Sequence, residues 1–251
     1  KFAKIIGDRE DAREFDKTAK KIKAGFRKAF YDPLTGRLKG DGQTCYAAML
    51  YHKLYDSDKE FDLIYSHLLR TIDEAEGHLD YGILGNKYVN NILGRKDRAD
   101  LIYSMITKDT FPSFAHTIKE LGATTLYECW NGEGSRNHHM FGDISATFFK
   151  YFAGIRPDPE YPGFKRFIIA PGLNTPIKEV NAVYDSMYGT IRSSYIKNEK
   201  TISLDIEIPV NTCAVLKLEA GMEIYEDNNL LGKECIELES GRYKLELKKT
   251  V

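Results

Sequence analysis

The densest group of side chains capable of chemistry lies between residues 123 and 142, a stretch that holds the only tryptophan of the chain, Trp130. Glu128 stands two residues before that indole, a glycine-bracketed loop follows, and the step Asn137-His138-His139 ends the loop. Sugar-binding sites use these groups, because an aromatic ring packs on the sugar's C–H face, carboxylates move protons, and amides or imidazoles bind hydroxyls. The segment is therefore a candidate carbohydrate site.

Each of these residues also has a purely structural interpretation. Glu128 fits a surface or salt-bridged carboxylate, Trp130 fits a core ring, and Asn137 fits an N-cap of the next helix. On a helix, the neighbours His138 and His139 would diverge by about 100° and could not bind one ion. No second histidine follows at ligand spacing, so the sequence predicts neither a metal site nor a cofactor.

The overall composition narrows the range of partners. The chain has 251 residues, with 36 Lys and Arg against 37 Asp and Glu, and a formal net charge of −1. This balance gives no electrostatic reason to bind nucleic acid or an anionic membrane. No apolar run approaches the roughly 18 residues of a membrane span. The expected partner is a neutral molecule.

The cysteines and the first residues of the sequence concern the cellular compartment and whether the chain is a piece of a longer protein. Four scattered cysteines without a CxxC pair predict isolated buried thiols and leave the redox compartment open. The sequence begins with Lys1, and no apolar signal-peptide core follows. We therefore expect an excised or processed piece whose compartment, whether periplasmic, secreted or cytoplasmic, stays undetermined.

Helical spacing runs through residues 1–156. Apolar residues recur every three or four positions from Phe15 to Phe30 and predict one amphipathic helix, and Asp58 is predicted to cap another. Further helices are predicted from Gln43 to about Tyr55 and over 86–93, 97–107, 113–120 and 138–153.

The pattern changes after Gly154, where prolines accumulate and short β-branched or alternating runs appear. About eight short strands separated by turn signals indicate an antiparallel β-sandwich. The predicted strands are Arg166–Ala170, Ala182–Tyr184, Gly189–Lys197, Thr201–Ile208, Ala214–Glu219 and Arg242–Lys248, with hairpin turns at 198–200 and 227–229. The sequence thus predicts a helical domain over 1–156 and a sandwich domain over 157–251.

The helical part has too few helices for a closed ring. About seven helices make three hairpins and a remainder, as in a barrel of helical hairpins that lacks its first half.

Two neighbouring strings carry a family resemblance. The string GATTLYECW at 122–130, followed by SRNHHMFG at 135–142, resembles the G-A-T-T-x-W-E-x-W and S-x-N-H-x-x-x-G segments of bacterial α-L-rhamnosidases, glycoside hydrolase family 78. Further segments occur in the family's order: QTCYA at 43–47, GILGNKY at 82–88, PSF at 112–114 and YPGFKRFIIAP at 161–171. The resemblance covers nearly the whole chain.

The resemblance implies part of an (α/α)6 barrel that removes terminal α-L-rhamnose with inversion, followed by a C-terminal β-sandwich. Inversion needs one carboxyl group as acid and a second as base, roughly 6.5–9.5 Å apart. By the resemblance, Glu128 is the general base and His138 contacts sugar hydroxyls. Trp130 walls the pocket, and Asn137 belongs to the same substrate-binding motif.

This sequence departs from the family pattern in several places. Tyr127 stands where the family commonly has Trp, and Cys129 and Asn131 replace the usual Arg and Asp.

No segment of 1–120 resembles the family's general-acid motif. The nearest carboxylates, over 73–76, fit a solvated helix end, and His78 is a weaker site candidate. The acid is therefore expected in a missing N-terminal part of the same polypeptide, and the chain alone is expected to be inactive and prone to associate.

Two other functions remain open. The chain fits a carbohydrate-binding or relic protein without catalysis, which would bind rhamnose with no acid anywhere in the complete polypeptide. It also fits a glycosidase of the same fold that acts on another sugar, since fold does not fix substrate.

Overall fold

The computed structural model describes residues 2–249 and divides them into two compact units, one ending at Ile92 and the other beginning at Leu93. The α-helices before the sandwich are α1 (Phe2–Ile5), α2 (Arg9–Phe30), α3 (Gln43–Tyr51), α4 (Asp58–Glu74), α5 (Ile83–Arg95), α6 (Ala99–Ile106), α7 (Phe114–Leu121) and α8 (Asp143–Thr147). α5, α6 and α7 lie where the sequence predicts helices. None of the described helices is both long and apolar enough to cross a lipid bilayer.

α2 begins after Asp8, whose carboxylate accepts a hydrogen bond from the Asp11 amide at 3.0 Å. Although the structure describes every residue of α2, none of them is buried. The predicted apolar face is present, but Phe15, Ile22 and Phe30 on it are all at least half exposed. Most of the apolar face of this amphipathic helix is therefore exposed within the described chain, although Phe26 on it is partly buried.

α3 and α4 form the interior of the first unit, where Tyr46, Leu50 and Leu68 are buried. The expected cap of α4 was wrong by one residue. Ser57, in extended conformation, is the N-cap, and its hydroxyl accepts a hydrogen bond from the Glu60 amide at 3.2 Å. Asp58, predicted as the cap, is the first helical residue.

α3 also stops earlier than its sequence pattern predicts. It ends at Tyr51 rather than near Tyr55. Lys53 has a positive φ of 56°, in the left-handed region that an α-helix cannot continue through.

The single helix predicted over 138–153 is instead three short pieces. They are a 3₁₀ turn (His139–Gly142), α8, and a π-helical turn (Phe148–Phe152). The 138–153 prediction was therefore wrong in detail. The Ala153 amide reaches back five residues to the Phe148 carbonyl at 2.9 Å, which widens the last turn.

Two β-sheets follow. The strands are β1 (Ile155–Pro157), β2 (Arg166–Ile169), β3 (Glu179–Ser186), β4 (Gly189–Lys197), β5 (Thr201–Ile208), β6 (Cys213–Lys217), β7 (Met222–Glu226), β8 (Asn229–Lys233), β9 (Cys235–Leu238) and β10 (Gly241–Lys249). One sheet has the order β1-β2-β6-β9, and the other has the order β3-β4-β5-β10-β7-β8.

Alternation along the strands builds the sandwich core. In β4, for example, Ile191, Ser193 and Tyr195 point inward, and the Ser193 hydroxyl donates to the Ala153 carbonyl at 2.6 Å. Residues from both sheets join one buried apolar cluster, which includes Phe167 of β2 and Ile206 of β5. The fold is thus the predicted helical-hairpin part followed by a β-sandwich.

The expectation of a purely antiparallel sandwich needs one correction. β2 and β6 are parallel, with Arg166 opposite Cys213, whereas the other named pairs are antiparallel. Nothing in either strand's own sequence encodes this direction. The chain changes from helix to strand at Ile155. The predicted domain division between residues 156 and 157 stays a prediction.

The cysteines are free, as expected, but the expectation that they are buried was wrong for all four. Cys129 and Cys235 are exposed, and Cys45 and Cys213 are partly buried. Burial raises the pKa of the Cys213 thiol. The small, apolar character of a cysteine side chain therefore does not by itself predict its burial.

Candidate active site

The candidate site is a loop that starts where α7 ends. Gly122 caps α7 in left-handed conformation. The chain then forms a loop whose two arms pair through backbone hydrogen bonds. The Glu128 amide donates to the Ser135 carbonyl at 2.7 Å, and the His138 amide donates to the Leu126 carbonyl at 2.6 Å. We call residues 125–138 the carboxylate loop. Its pairing brings Glu128 and His138 to the same end.

The Glu128 carboxylate is held from one side. Its Oε2 accepts a hydrogen bond from the Ser135 amide at 2.9 Å and lies 3.8 Å from Nδ1 of His138. The Glu128 side chain is 41 % exposed, so solvent reaches it. A partly exposed carboxylate beside an imidazole is able to accept a proton from a water molecule.

His138 is the more buried partner, with a side chain 20 % exposed. Its Nε2 is buried and has no hydrogen-bond partner among residues 2–249. A buried ring nitrogen without a partner is costly, so a ligand hydroxyl at this position would offset that cost.

The angle of about 100° expected for His138 and His139 on one helix does not apply here. Their rings are nearly parallel, with centroids 6.0 Å apart and an interplanar angle of 19°. The reason is that His138 is in extended conformation, before the 3₁₀ turn, so helical spacing does not apply. Among the described residues, no group of His, Cys, Asp and Glu side chains is arranged to hold a metal ion.

Trp130 packs in an aromatic group with Phe114 and Phe141. Its ring meets Phe114 edge-on at 4.9 Å and lies 4.7 Å from Phe141 at 58°. It also lines a cleft of about 210 Å³ together with Leu126 and Tyr127. Neither Glu128 nor His138 lines that cleft. The structure thus gives Trp130 a packing role in the loop that carries Glu128 and His138.

Asn137 is exposed, and its backbone amide donates a hydrogen bond to the Ser135 hydroxyl at 3.3 Å. The alternative that Asn137 caps the next helix was wrong, because His138 occupies the N-cap position. Of the four predicted site residues, the structure therefore pairs Glu128 with His138.

Two contributors to the site were missed, Gly134 and Ser135. Ser135 acts through its backbone amide, which has no side-chain signature. Gly134 was visible as the second glycine of Gly132-Glu133-Gly134, and it lies directly against the Glu128 carboxylate. The Arg136 guanidinium sits over the Tyr127 ring at 5.5 Å and joins the two arms of the loop.

The weaker candidates lie in the first unit. The Asp73, Glu74 and Glu76 side chains are exposed, as expected for a solvated helix end. Glu74 pairs with Arg70 at 2.6 Å. Nδ1 of His78 lies 2.9 Å from the Ala75 carbonyl, and the Gln43 amide donates to the His78 carbonyl at 3.0 Å. These contacts give His78 a structural role.

The chain joins helical hairpins to a β-sandwich and carries the carboxylate loop in its helical part. The sequence model of the bacterial α-L-rhamnosidase 6-hairpin glycosidase domain matches residues 1–152, and that of the bacterial α-L-rhamnosidase C-terminal domain matches residues 154–229. The chain belongs to the bacterial α-L-rhamnosidase family.

Individual relatives agree with this membership. The chain is 28 % identical to an α-L-rhamnosidase of Alteromonas sp. (strain LOR) and 29 % identical to one of Formosa agariphila, over 98 % of this chain in each case. It covers 28 % of each relative's length. The chain therefore spans less than a third of the curated relatives it matches.

Solved structures of two α-L-rhamnosidases share the fold of this chain. An α-L-rhamnosidase from Dictyoglumus thermophilum superimposes with a TM-score of 0.85 at 28 % identity, over 98 % of this chain and 30 % of that one. A Streptomyces avermitilis α-L-rhamnosidase, solved in complex with L-rhamnose, superimposes with a TM-score of 0.84 at 24 % identity, over 98 % of this chain and 25 % of that one. The second comparison supports the fold alone.

Proposed function

We propose that this chain supplies the general-base side of an inverting α-L-rhamnosidase, with Glu128 as the base. The observation that supports the proposal most strongly is the approach of Glu128 Oε2 to His138 Nδ1 at 3.8 Å, in a chain of the α-L-rhamnosidase family. The substrate is a neutral glycoside with a terminal α-L-rhamnose, in keeping with the nearly balanced charge of the chain.

In the proposed reaction, Glu128 removes a proton from a water molecule whose oxygen attacks the anomeric carbon. The bond from that carbon to the leaving oxygen breaks on the opposite face of the sugar, and a carboxylic acid protonates that oxygen. One proton enters the base and one leaves the acid, so charge is balanced. An N-terminal part of the same polypeptide supplies the acid, in keeping with the short span of this chain relative to its relatives.

The remaining candidate residues bind the sugar. His138 offers its buried Nε2 to a sugar hydroxyl, which satisfies a nitrogen that has no partner within residues 2–249. Asn137, exposed next to it, offers an amide to a second hydroxyl. Trp130 acts as a wall behind the loop through its packing on Phe114 and Phe141.

The test compares two glutamates of one loop in the polypeptide extended upstream of Lys1. Glu128→Gln removes the base and is expected to lower kcat on an aryl α-L-rhamnoside by about 10²–10⁴-fold. Glu133→Gln is the matched control, because Glu133 is exposed in the same loop and its side chain forms no hydrogen bond or ion pair within residues 2–249. Equal activity of the two variants would refute the base assignment.

A second experiment tests the chemistry of the base. Glu128→Ala leaves room for azide, an anion that attacks without losing a proton. Azide is expected to restore turnover and to give a β-L-rhamnosyl azide, with its nitrogen bonded to the anomeric carbon and the aglycone released. An α-configured azide product, or the absence of rescue by azide, would contradict inversion with Glu128 as base.

The two alternative functions predict other outcomes. A binding or relic protein would bind L-rhamnose without turnover by the extended polypeptide. A glycosidase for another sugar would cleave an aryl glucuronide or glucoside faster than the rhamnoside. We expect the rhamnoside to be the best of the three substrates.

A further inference from the structure

The loop glycines differ in what they face. Gly132 and Gly134 both have positive φ, 83° and 74°, so an L side chain at either position strains the backbone by a similar amount. A Cβ atom on Gly134 would lie 2.9 Å from Oε2 of Glu128 and 3.3 Å from its carboxyl carbon. A Cβ atom on Gly132 would instead meet Leu121 at 3.3 Å. Only Gly134 leaves space that the carboxylate occupies.

The next residue holds the carboxylate in that space. The Ser135 amide donates to Oε2 at 2.9 Å, while the Ser135 carbonyl accepts from the Glu128 amide at 2.7 Å. Backbone and side chain of Glu128 are thus both bound to one residue. A backbone amide has no side-chain torsions, so its hydrogen bond to a carboxylate orders fewer rotatable bonds than a bond from a long side chain would.

The two carboxylate oxygens are therefore not equivalent. Oε2 accepts from Ser135 and faces His138. Within residues 2–249, no hydrogen bond or ion pair reaches Oε1. Oε1 is the oxygen with both lone pairs open to a water molecule.

We infer that Gly134 and the Ser135 amide form a positioning device that fixes the Glu128 carboxylate through Oε2, so that Oε1 takes the proton from the attacking water. The inference rests on the proposed function, because it concerns the same base. Gly134 is a positioning residue and acts only through Glu128.

The first experiment uses the two glycines as a matched pair in the polypeptide extended upstream. Gly134→Ala displaces the carboxylate and is expected to lower kcat on an aryl α-L-rhamnoside at least tenfold more than Gly132→Ala, with similar KM values. Equal kcat losses would show that loop strain alone matters and would overturn the inference.

A double-mutant cycle separates positioning from general damage to the loop. In the Glu128→Ala background with azide, no carboxylate remains to be positioned. Adding Gly134→Ala is then expected to leave the azide-dependent rate within about twofold. A further tenfold loss would mean that Gly134 acts on the site by another route.

Melting temperatures of both glycine variants establish that they are folded. If Gly134→Ala does not fold, Gly134→Asn replaces it, because asparagine tolerates positive φ yet still carries a Cβ. The same tenfold difference from Gly132→Asn is expected, and its absence overturns the inference. Full activity of Glu128→Ala without azide would instead refute the proposed function itself, so the two failures are distinguishable.

Discussion

The sandwich buries its apolar side chains, whereas helix α2 exposes most of the apolar side chains on its face. In the sandwich, both sheets direct their alternating apolar residues into one shared core, and Ile206 at its centre is fully buried. On α2, the apolar face is complete in sequence, yet Ile22 on it is 63 % exposed. The same residue type is thus a core residue in one region and a surface residue in the other.

The contacts of α2 explain the difference. Its partly buried side chains include Lys23 and Arg27, and Arg27 forms a two-pronged ion pair with Glu60 at 2.8 and 2.9 Å. Lys23 pairs with Asp56 at 2.8 Å. α2 is therefore attached in part through these charged side chains, and Phe26 of its apolar face is also partly buried. The sandwich completes its core within this chain, whereas the exposed face of α2 fits the proposal that an N-terminal part of the polypeptide completes the barrel.

The largest expected effect is in the sandwich. Ile206→Ala removes three buried carbons and leaves a cavity, which is expected to lower the free energy of unfolding by about 2–5 kcal/mol. Urea denaturation followed by circular dichroism measures the change. A loss below about 1 kcal/mol would show that the sandwich core is loosely packed, which would contradict the contrast drawn with the exposed face of α2.

An intermediate effect is expected where α2 is attached. Burial alone would raise the pKa of the Glu60 carboxyl, but hydrogen bonds from Arg27 and from the Asp56 amide outweigh burial and hold that pKa below its ordinary value of 4.5. A lowered pKa in the folded state stabilises the fold above the ordinary pKa, and the contribution is lost as pH falls through the folded value.

Glu60→Gln is therefore expected to cost about 1–2 kcal/mol at pH 7, and this cost is expected to shrink as pH falls below the ordinary carboxyl pKa of 4.5. Unfolding free energies across this pH range provide the measurement. Glu14→Gln, which removes an exposed glutamate from α2, serves as the control and should differ little from the parent at any pH. A cost for Glu60→Gln that persists undiminished at pH 3 would exclude the ion pair as its source.

The smallest effect on stability is expected on the apolar face of α2. Ile22→Ala, the same substitution as in the sandwich, should change the free energy of unfolding by no more than about 0.5 kcal/mol. It should also weaken self-association of the chain, because the exposed apolar face shrinks. Sedimentation velocity measures the second effect. A stability loss as large as that of Ile206→Ala would mean that α2 buries this face in solution.

Much of the sandwich could be predicted because its strands alternate clearly. β4 and β5 begin and end at the predicted residues, since turn signals bound both strands and apolar residues recur at every second position of β5 from Ile202 to Ile208. β7, β8 and β9 were not predicted. They are short, and the β7–β8 pairing is irregular at Ile224 and Tyr225, which weakens any periodic signal.

The sequence proposed the residues of the candidate site but only part of the geometry that the structure gives them. The family resemblance selected Glu128 and His138, and the structure places them together. The parallel rings of His138 and His139 were not foreseen, because helical spacing was applied to a residue that precedes the 3₁₀ turn. The hydrogen bond to the Glu128 carboxylate comes from the Ser135 backbone N–H, a group that every residue except proline carries. Sequence cannot single out such a donor.

The measurement that tests the central claim most directly is the turnover of an aryl α-L-rhamnoside by this 251-residue chain and by the polypeptide extended upstream, each with and without Glu128→Gln. The proposal predicts no turnover by the chain alone. It predicts turnover by the extended polypeptide that Glu128→Gln abolishes, with β-L-rhamnose as the first anomer seen by NMR. Turnover by the chain alone that Glu128→Gln abolishes would contradict it, because the acid would then lie within these residues.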